Sequence, residues 1–116
     1  MLFTLFNCIL VKPRSTTISG NTTVYANGNN KVTLTCNTDS SNPQSAITWY
    51  RNGSRITNGK PQTTATGSYG GLVVSQVLEF LASREMDGDI IECRASNYLS
   101  GSDVVRSSVI LDILCK

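Results

Sequence analysis

Apolar and polar residues alternate along most of this chain in short runs separated by turn-forming residues. This is the pattern of strands that bury one face. In KVTLTCN, Val32, Leu34 and Cys36 fall on one side, and Lys31, Thr33 and Thr35 on the other. AITWYRNGSRI turns Ile47 and Trp49 inward and Thr48 and Tyr50 outward. Its Asn52-Gly53 dipeptide is a strong signal for a two-residue hairpin turn. LVVSQVLEFLA sets Leu72, Val74, Leu78 and Phe80 against Val73, Ser75, Val77 and Glu79. DIIECRA places Ile91, Cys93 and Ala95 inside, which leaves Ile90, Glu92 and Arg94 outside. VVRSSVILDIL reads as the last strand. TTVYANGNN ends in a Gly/Asn turn, TDSSNPQS and NYLSGSD are loops, and TNGKPQTTATGSYGG is turn-rich with room for one short edge strand. No stretch holds a long helical period. About seven strands at this spacing predict an all-β antiparallel sandwich, with Leu34, Trp49, Phe80 and Ile91 in its core.

The opening stretch MLFTLFNCILV admits two readings. One is a signal-like segment, but it lacks a basic start and a small-x-small cleavage site, and Asn7 interrupts it. The other, favoured here, is a linker that leads into the first strand of the sandwich. On this division residues 1–9 are linker or the start of that strand, and 10–116 are one domain. The length of 116 residues suits one domain and is too short for two. Such a chain buries about two-thirds of its unfolded surface, enough for a core without a metal.

Composition removes whole classes of chemistry. There is no His, so Ser–His–Asp and Cys–His catalysis and His-ligated zinc are absent. Ten basic residues against eight acidic give a charge of only +2, no basis for nucleic-acid binding. For Arg51 and Arg55, solvated strand and turn charges are the favoured reading over a heparin-like patch. No apolar run approaches the ~20 residues of a spanning helix, so no direct membrane insertion is expected. The acidic group Glu85, Asp87, Asp89 and Glu92 lacks calcium-loop spacing. Gly70-Gly71 sits in no phosphate-loop context and reads as a turn. No cofactor, no metal and no enzymatic activity are expected.

Cys8, Cys36, Cys93 and Cys115 are too widely spaced for metal or redox motifs and suit disulfides in an oxidising compartment. Two glycosylation sequons, at Asn21 and Asn52, agree with an extracellular location.

The segments KVTLTCN, ITWYRNGSRI, LEFLASREMDGDIIECRASN and SSVILDI follow one another in the order of the immunoglobulin superfamily, which the chain resembles from about Leu10 to Leu114. The resemblance implies a B–F inter-sheet disulfide between Cys36 and Cys93, with Trp49 packed against it. Variable and intermediate types carry D-x-G-x-Y-x-C before the second cysteine. Here Asp87 holds the Asp place, Asp89 the Gly place and Ile91 the Tyr place. An acidic residue and Gly88, followed by an apolar residue two before the cysteine, resembles C2-type domains of nectin-, nephrin- and Kirre-like adhesion receptors. Ile91 keeps the core position while the tyrosine hydroxyl's bond across the corner is lost.

In this fold the first strand begins at one end and the last finishes at the other. A Cys8–Cys115 bond is therefore not expected, because a disulfide requires its Cα atoms within about 7 Å. Neighbouring domains or chains are the expected partners, or a free thiol at Cys115. The end at Cys115-Lys116 suggests a domain cut from a longer array.

The resemblance implies a non-catalytic module of a cell-surface or secreted recognition protein. Its partners would be another cell-surface protein, bound homophilically or heterophilically, and neighbouring immunoglobulin domains. The candidate binding face comprises Thr48, Tyr50, Ile90, Glu92 and Arg94, with Tyr98 and Leu99 at a loop tip. A sugar on Asn52 would stand at its edge. A spacer that positions another domain and binds nothing itself is the alternative.

Overall fold

Alternation becomes burial most plainly in β5 (Lys31–Thr38), where Val32, Leu34, Cys36 and Thr38 are buried and the residues between them are not. The computed structural model describes residues 2–5, 8–28, 30–57 and 59–115, with side chains from Ile9 onward. One sheet is ordered β3 (Thr16–Gly20), β5, β9 (Leu72–Leu81) and β8 (Thr63–Thr66). The other is ordered β11 (Val105–Ile110), β10 (Ile90–Ser96), β6 (Ala46–Arg51) and β7 (Ser54–Ile56). All pairings within these two sheets are antiparallel. The inner faces of both sheets meet in one core around Leu34, Trp49, Leu78 and Ile91. Each of these side chains is fully buried, a contribution of about 1.5–3 kcal/mol for the aliphatic ones.

The Cys36–Cys93 disulfide joins β5 to β10, and so one sheet to the other, with the Cα atoms 6.3 Å apart. It closes a loop of 57 residues, worth roughly 4 kcal/mol in the chain-entropy account. Trp49 stands opposite Cys93 in the β6–β10 register, on the same inner face. Among the described residues its indole Nε1, though buried, has no hydrogen-bond partner. The ring is held there by packing.

Between β6 and β7 the chain reverses in two residues, with Arg51 opposite Ser54. Asn52 and Gly53 both have positive φ, 50° and 86°, as the expected hairpin turn demands.

The start of the sandwich departs from expectation. Its first sheet strand is β3, at Thr16–Gly20, while β1 (Leu2–Leu5) and β2 (Cys8–Val11) pair with each other. The reason is visible in the residues: TTISG offers one apolar side chain, whereas the preceding segment is strongly apolar. Val11 nevertheless joins the domain. It exchanges two backbone hydrogen bonds with Asn42, at 2.8 and 2.9 Å, and is fully buried. Asn97 Nδ2 donates to the Val11 carbonyl at 3.0 Å. The signal-like reading falls partly on Met1, Phe6 and Asn7, outside the described residues.

After β3 the chain leaves its sheet for a separate two-stranded pairing. Gly20, at φ 131°, allows this, since a Cβ there would lie 2.3 Å from the Thr33 carbonyl oxygen. The next strand, β4 (Thr23–Tyr25), runs parallel to β12 (Asp112–Leu114). VVRSSVILDIL is therefore two strands, and the partner changes from β10 to β4 at the buried Leu111. Phe80, expected in the core, is only half-buried and packs at its margin. Cys115 is exposed with a free thiol; the Cys8 side chain lies outside the described residues.

Because the indole N–H is unpaired, Trp49→Phe should cost far less than Trp49→Ala, for which about 3–5 kcal/mol is expected. Urea unfolding of the oxidised protein measures both; equal losses would assign the indole N–H a role that packing does not provide.

Candidate functional site

The outward face of the β11–β10–β6–β7 sheet gathers five of the seven expected binding residues. β10 lies between β11 and β6, so register fixes the neighbours. Glu92 stands beside Tyr50 and Ser108, Arg94 beside Thr48 and Arg106, and Ile90 beside Ile110. The Arg94 guanidinium lies over the Tyr50 ring, 3.8 Å from its centroid. Its Nε donates to Glu92 Oε1 at 2.6 Å, and Arg106 reaches within 4.0 Å of the other Glu92 oxygen. Cation–π contact of this kind is worth about 0.5–1 kcal/mol at exposed sites. Its larger effect is to hold Arg94 and Tyr50 in fixed positions. These residues pack on one another, so Thr48, Tyr50, Glu92 and Arg94 are half-buried rather than fully exposed.

Beside this cluster, Ile90 and Ile110 are 45% and 64% exposed, an apolar pair facing solvent. Ile110 and Arg106 were missed by the sequence reading. The signal was present, because VRSSVI alternates with Arg106, Ser108 and Ile110 on one side. Only the register against β10 shows that this side is the same face.

Tyr98 and Leu99 are not on the sheet. They occupy the loop beyond β10, where Asn97 Oδ1 accepts from Leu99 N at 3.0 Å and Ser100 Oγ from Asn97 N at 3.1 Å. Leu99 is half-buried and Tyr98 is 69% exposed at the tip.

At the other end of β10 a polar clasp stands where the corner tyrosine is missing. Asp89 accepts from Arg51 Nε at 2.5 Å and from Asn52 Nδ2 at 3.0 Å. Asn52 Oδ1 in turn accepts from Ile90 N, and the Asn52 N–H donates to the Ile90 carbonyl, both at 2.9 Å. Asp87 Oδ1 accepts from Ile113 N at 2.9 Å. The acidic residues that raised the question of calcium are thus engaged separately, and among the described residues no metal-ligating group of three forms. Hydrogen bonding from Asn52, then from Arg51, holds the Asp89 carboxyl below its ordinary range despite partial burial. On the opposite sheet Lys60 and Lys31 hold Glu79 at about 2. The Asn52 carboxamide is therefore occupied by the clasp. Asn21, the other sequon, is exposed, with its Oδ1 accepting from Thr23 N.

The family model for the CD80-like C2-set immunoglobulin domain matches residues 16–103. The chain belongs to that family. Nephrin of mouse and of rat each align at 30% identity over 101 residues, 87% of this chain. The chain spans 8% of the length of those curated relatives. The full ectodomain of mouse nectin-like molecule 4 superposes with a TM-score of 0.78 at 23% identity, over 91% of this chain and 35% of that one. Bovine butyrophilin gives 0.68 at 15% identity, covering 85% of this chain and 43% of that one. This C2-set domain is non-catalytic, like its family, and the Cys36–Cys93 pairing implied by the resemblance is present. No described helix is long and apolar enough to cross a membrane.

A carboxylate whose folded pKa is depressed stabilises fully above its ordinary value and loses that contribution as pH falls through the folded value. Asp89→Asn should therefore be less stable than the parent near neutrality, with the gap closing as pH drops below 3.8. Denaturant titrations across that range measure it, and a gap independent of pH would remove the Asp89 charge from the account.

Proposed function

We propose that this C2-set domain is a protein-recognition module of an extracellular receptor or secreted relative, and that the outward face of β10 and its neighbours makes the contact. The observation that carries this reading is the Arg94–Tyr50 stack, fixed by Glu92 and bordered by the exposed Ile90 and Ile110. Arginine and tyrosine anchors beside an apolar patch are the composition of binding hot spots, and side chains already held in place lose little freedom on binding. Relatedness to nephrin supports placement in a cell-surface ectodomain, with another cell-surface protein as partner, bound homophilically or heterophilically. Tyr98 offers a second contact at the loop tip. Asn21 is the sequon better placed to carry a glycan, because it lies exposed in the connection between β3 and β4 and its side chain is not part of the clasp.

A spacer role has its own support. Val11, laddered to Asn42 and held by Asn97, fixes the incoming chain to the domain as an array joint would.

Alanine at Tyr50, Arg94, Ile110 and Tyr98, one at a time in the full receptor, should separate the readings. At least one face variant is expected to weaken cell binding about tenfold or more. Unchanged binding in all four would leave the spacer.

A further inference from the structure

Strand register arranges the outward face in three rows. Ile110 and Ile90 form the first. Ser108, Glu92, Tyr50 and Arg55 form the second, one residue from each strand of the sheet. Arg106, Arg94 and Thr48 form the third. Three arginines therefore stand against one acid on this face, a surplus of two positive charges. The whole chain, with ten basic and eight acidic residues, has the same surplus. The charges elsewhere balance, many of them in pairs such as Lys12 with Asp103, Arg14 with Asp39 and Arg51 with Asp89. On the face itself Glu92 is sheltered between Arg94 and Arg106. Its side chain is 19% exposed, against 56% for Arg106. Arg55, exposed on the edge strand, has no salt bridge among the described residues.

We propose, on the reading of this face as the recognition surface, that it takes an acidic patch on a different cell-surface protein, so that binding through it is heterophilic. Exposed guanidiniums pair with carboxylates through parallel N–H donors. Charge of one sign across an interface selects the partner and speeds encounter. A second copy docked by the same face about a two-fold axis would set arginines against arginines, and its one acid is already engaged. A sulfated polysaccharide fits less well, because Glu92 stands among the basic groups and the exposed Ile90 and Ile110 offer it nothing. An acidic protein surface that also presents an apolar side chain uses both ends of the face.

The purified chain can be titrated with the blocked acidic peptide Leu-Asp-Glu-Tyr-Glu-Asp-Leu and with its amide counterpart Leu-Asn-Gln-Tyr-Gln-Asn-Leu. The backbone amides of Tyr50, Arg55, Arg94 and Arg106 are followed by NMR. The acidic peptide should shift them saturably and bind about tenfold tighter than the amide at low salt, a preference that fades at about 1 M salt. The double variant Arg55→Gln, Arg106→Gln, changed only at exposed positions, should lose the preference. The parent should sediment as a monomer. Equal affinity for the two peptides, tighter binding of a heparin hexasaccharide than of the acidic peptide, or a dimer that Ile110→Ala dissociates would each overturn the proposal. In the full receptor, cell binding should weaken in the double variant as in Tyr50→Ala. Loss in Tyr50→Ala alone would overturn the acidic partner and keep the recognition face, whereas no loss in either would remove the face itself.

Discussion

The register of β10 is the constraint on which the rest of the structure depends. Its side chains alternate between the core and solvent, so a slip of one residue would send Ile91, Cys93 and Ala95 outward and bury Ile90, Glu92 and Arg94. Two devices oppose that slip. In the middle, the disulfide ties Cys93 to Cys36 on the facing sheet, with Trp49 alongside. At the start, Asn52 and Asp89 fasten the β6–β7 turn to the first residues of β10. The bridge closes a long loop and acts through the unfolded chain. The clasp acts locally and directionally. Between them they hold Arg94 over Tyr50 and keep Glu92 within reach of two arginines.

The clasp also accounts for a domain that does without its tyrosine. A corner tyrosine would bury an aromatic ring and place one hydroxyl bond. This chain divides those tasks. Ile91 supplies the burial, and Asp89 with Arg51 and Asn52 supplies the hydrogen bonds. The division is incomplete in one respect, because isoleucine is smaller than tyrosine, and a groove beside Phe80 and Met86 remains. Phe80 is half-buried for the same reason: it stands at the edge of a cleft instead of inside a closed core.

Most of the sandwich was legible in the chain because its central strands alternate strictly. β5, β6 and β10 could be placed, together with their inward and outward faces, and Asn52-Gly53 announced its turn. Elements whose stability comes from partners and not from their own pattern were not legible. Thr16–Gly20 is mostly polar and becomes a strand only by pairing with β5. The switch at Leu111 leaves the alternation unbroken and changes only the neighbour. Of the site, the residues on β6 and β10 were readable, whereas Arg106 and Ile110 required the β10–β11 register. The clasp was hidden because its members come from a turn and a corner distant in sequence. Asp89 had read only as one of an acidic group without calcium-loop spacing, and Asn52 as a turn residue and glycan acceptor.

Residue-resolved amide hydrogen exchange of the parent protein and Asp89→Ala tests the central claim most directly. If register is held by a bridge in the middle and a clasp at the start, β10 exchanges among the slowest segments of the parent. Removal of the clasp then speeds exchange at Ile90 while the amides around Cys93 stay protected. Uniform acceleration along β10, or an unchanged Ile90, would contradict that division of roles.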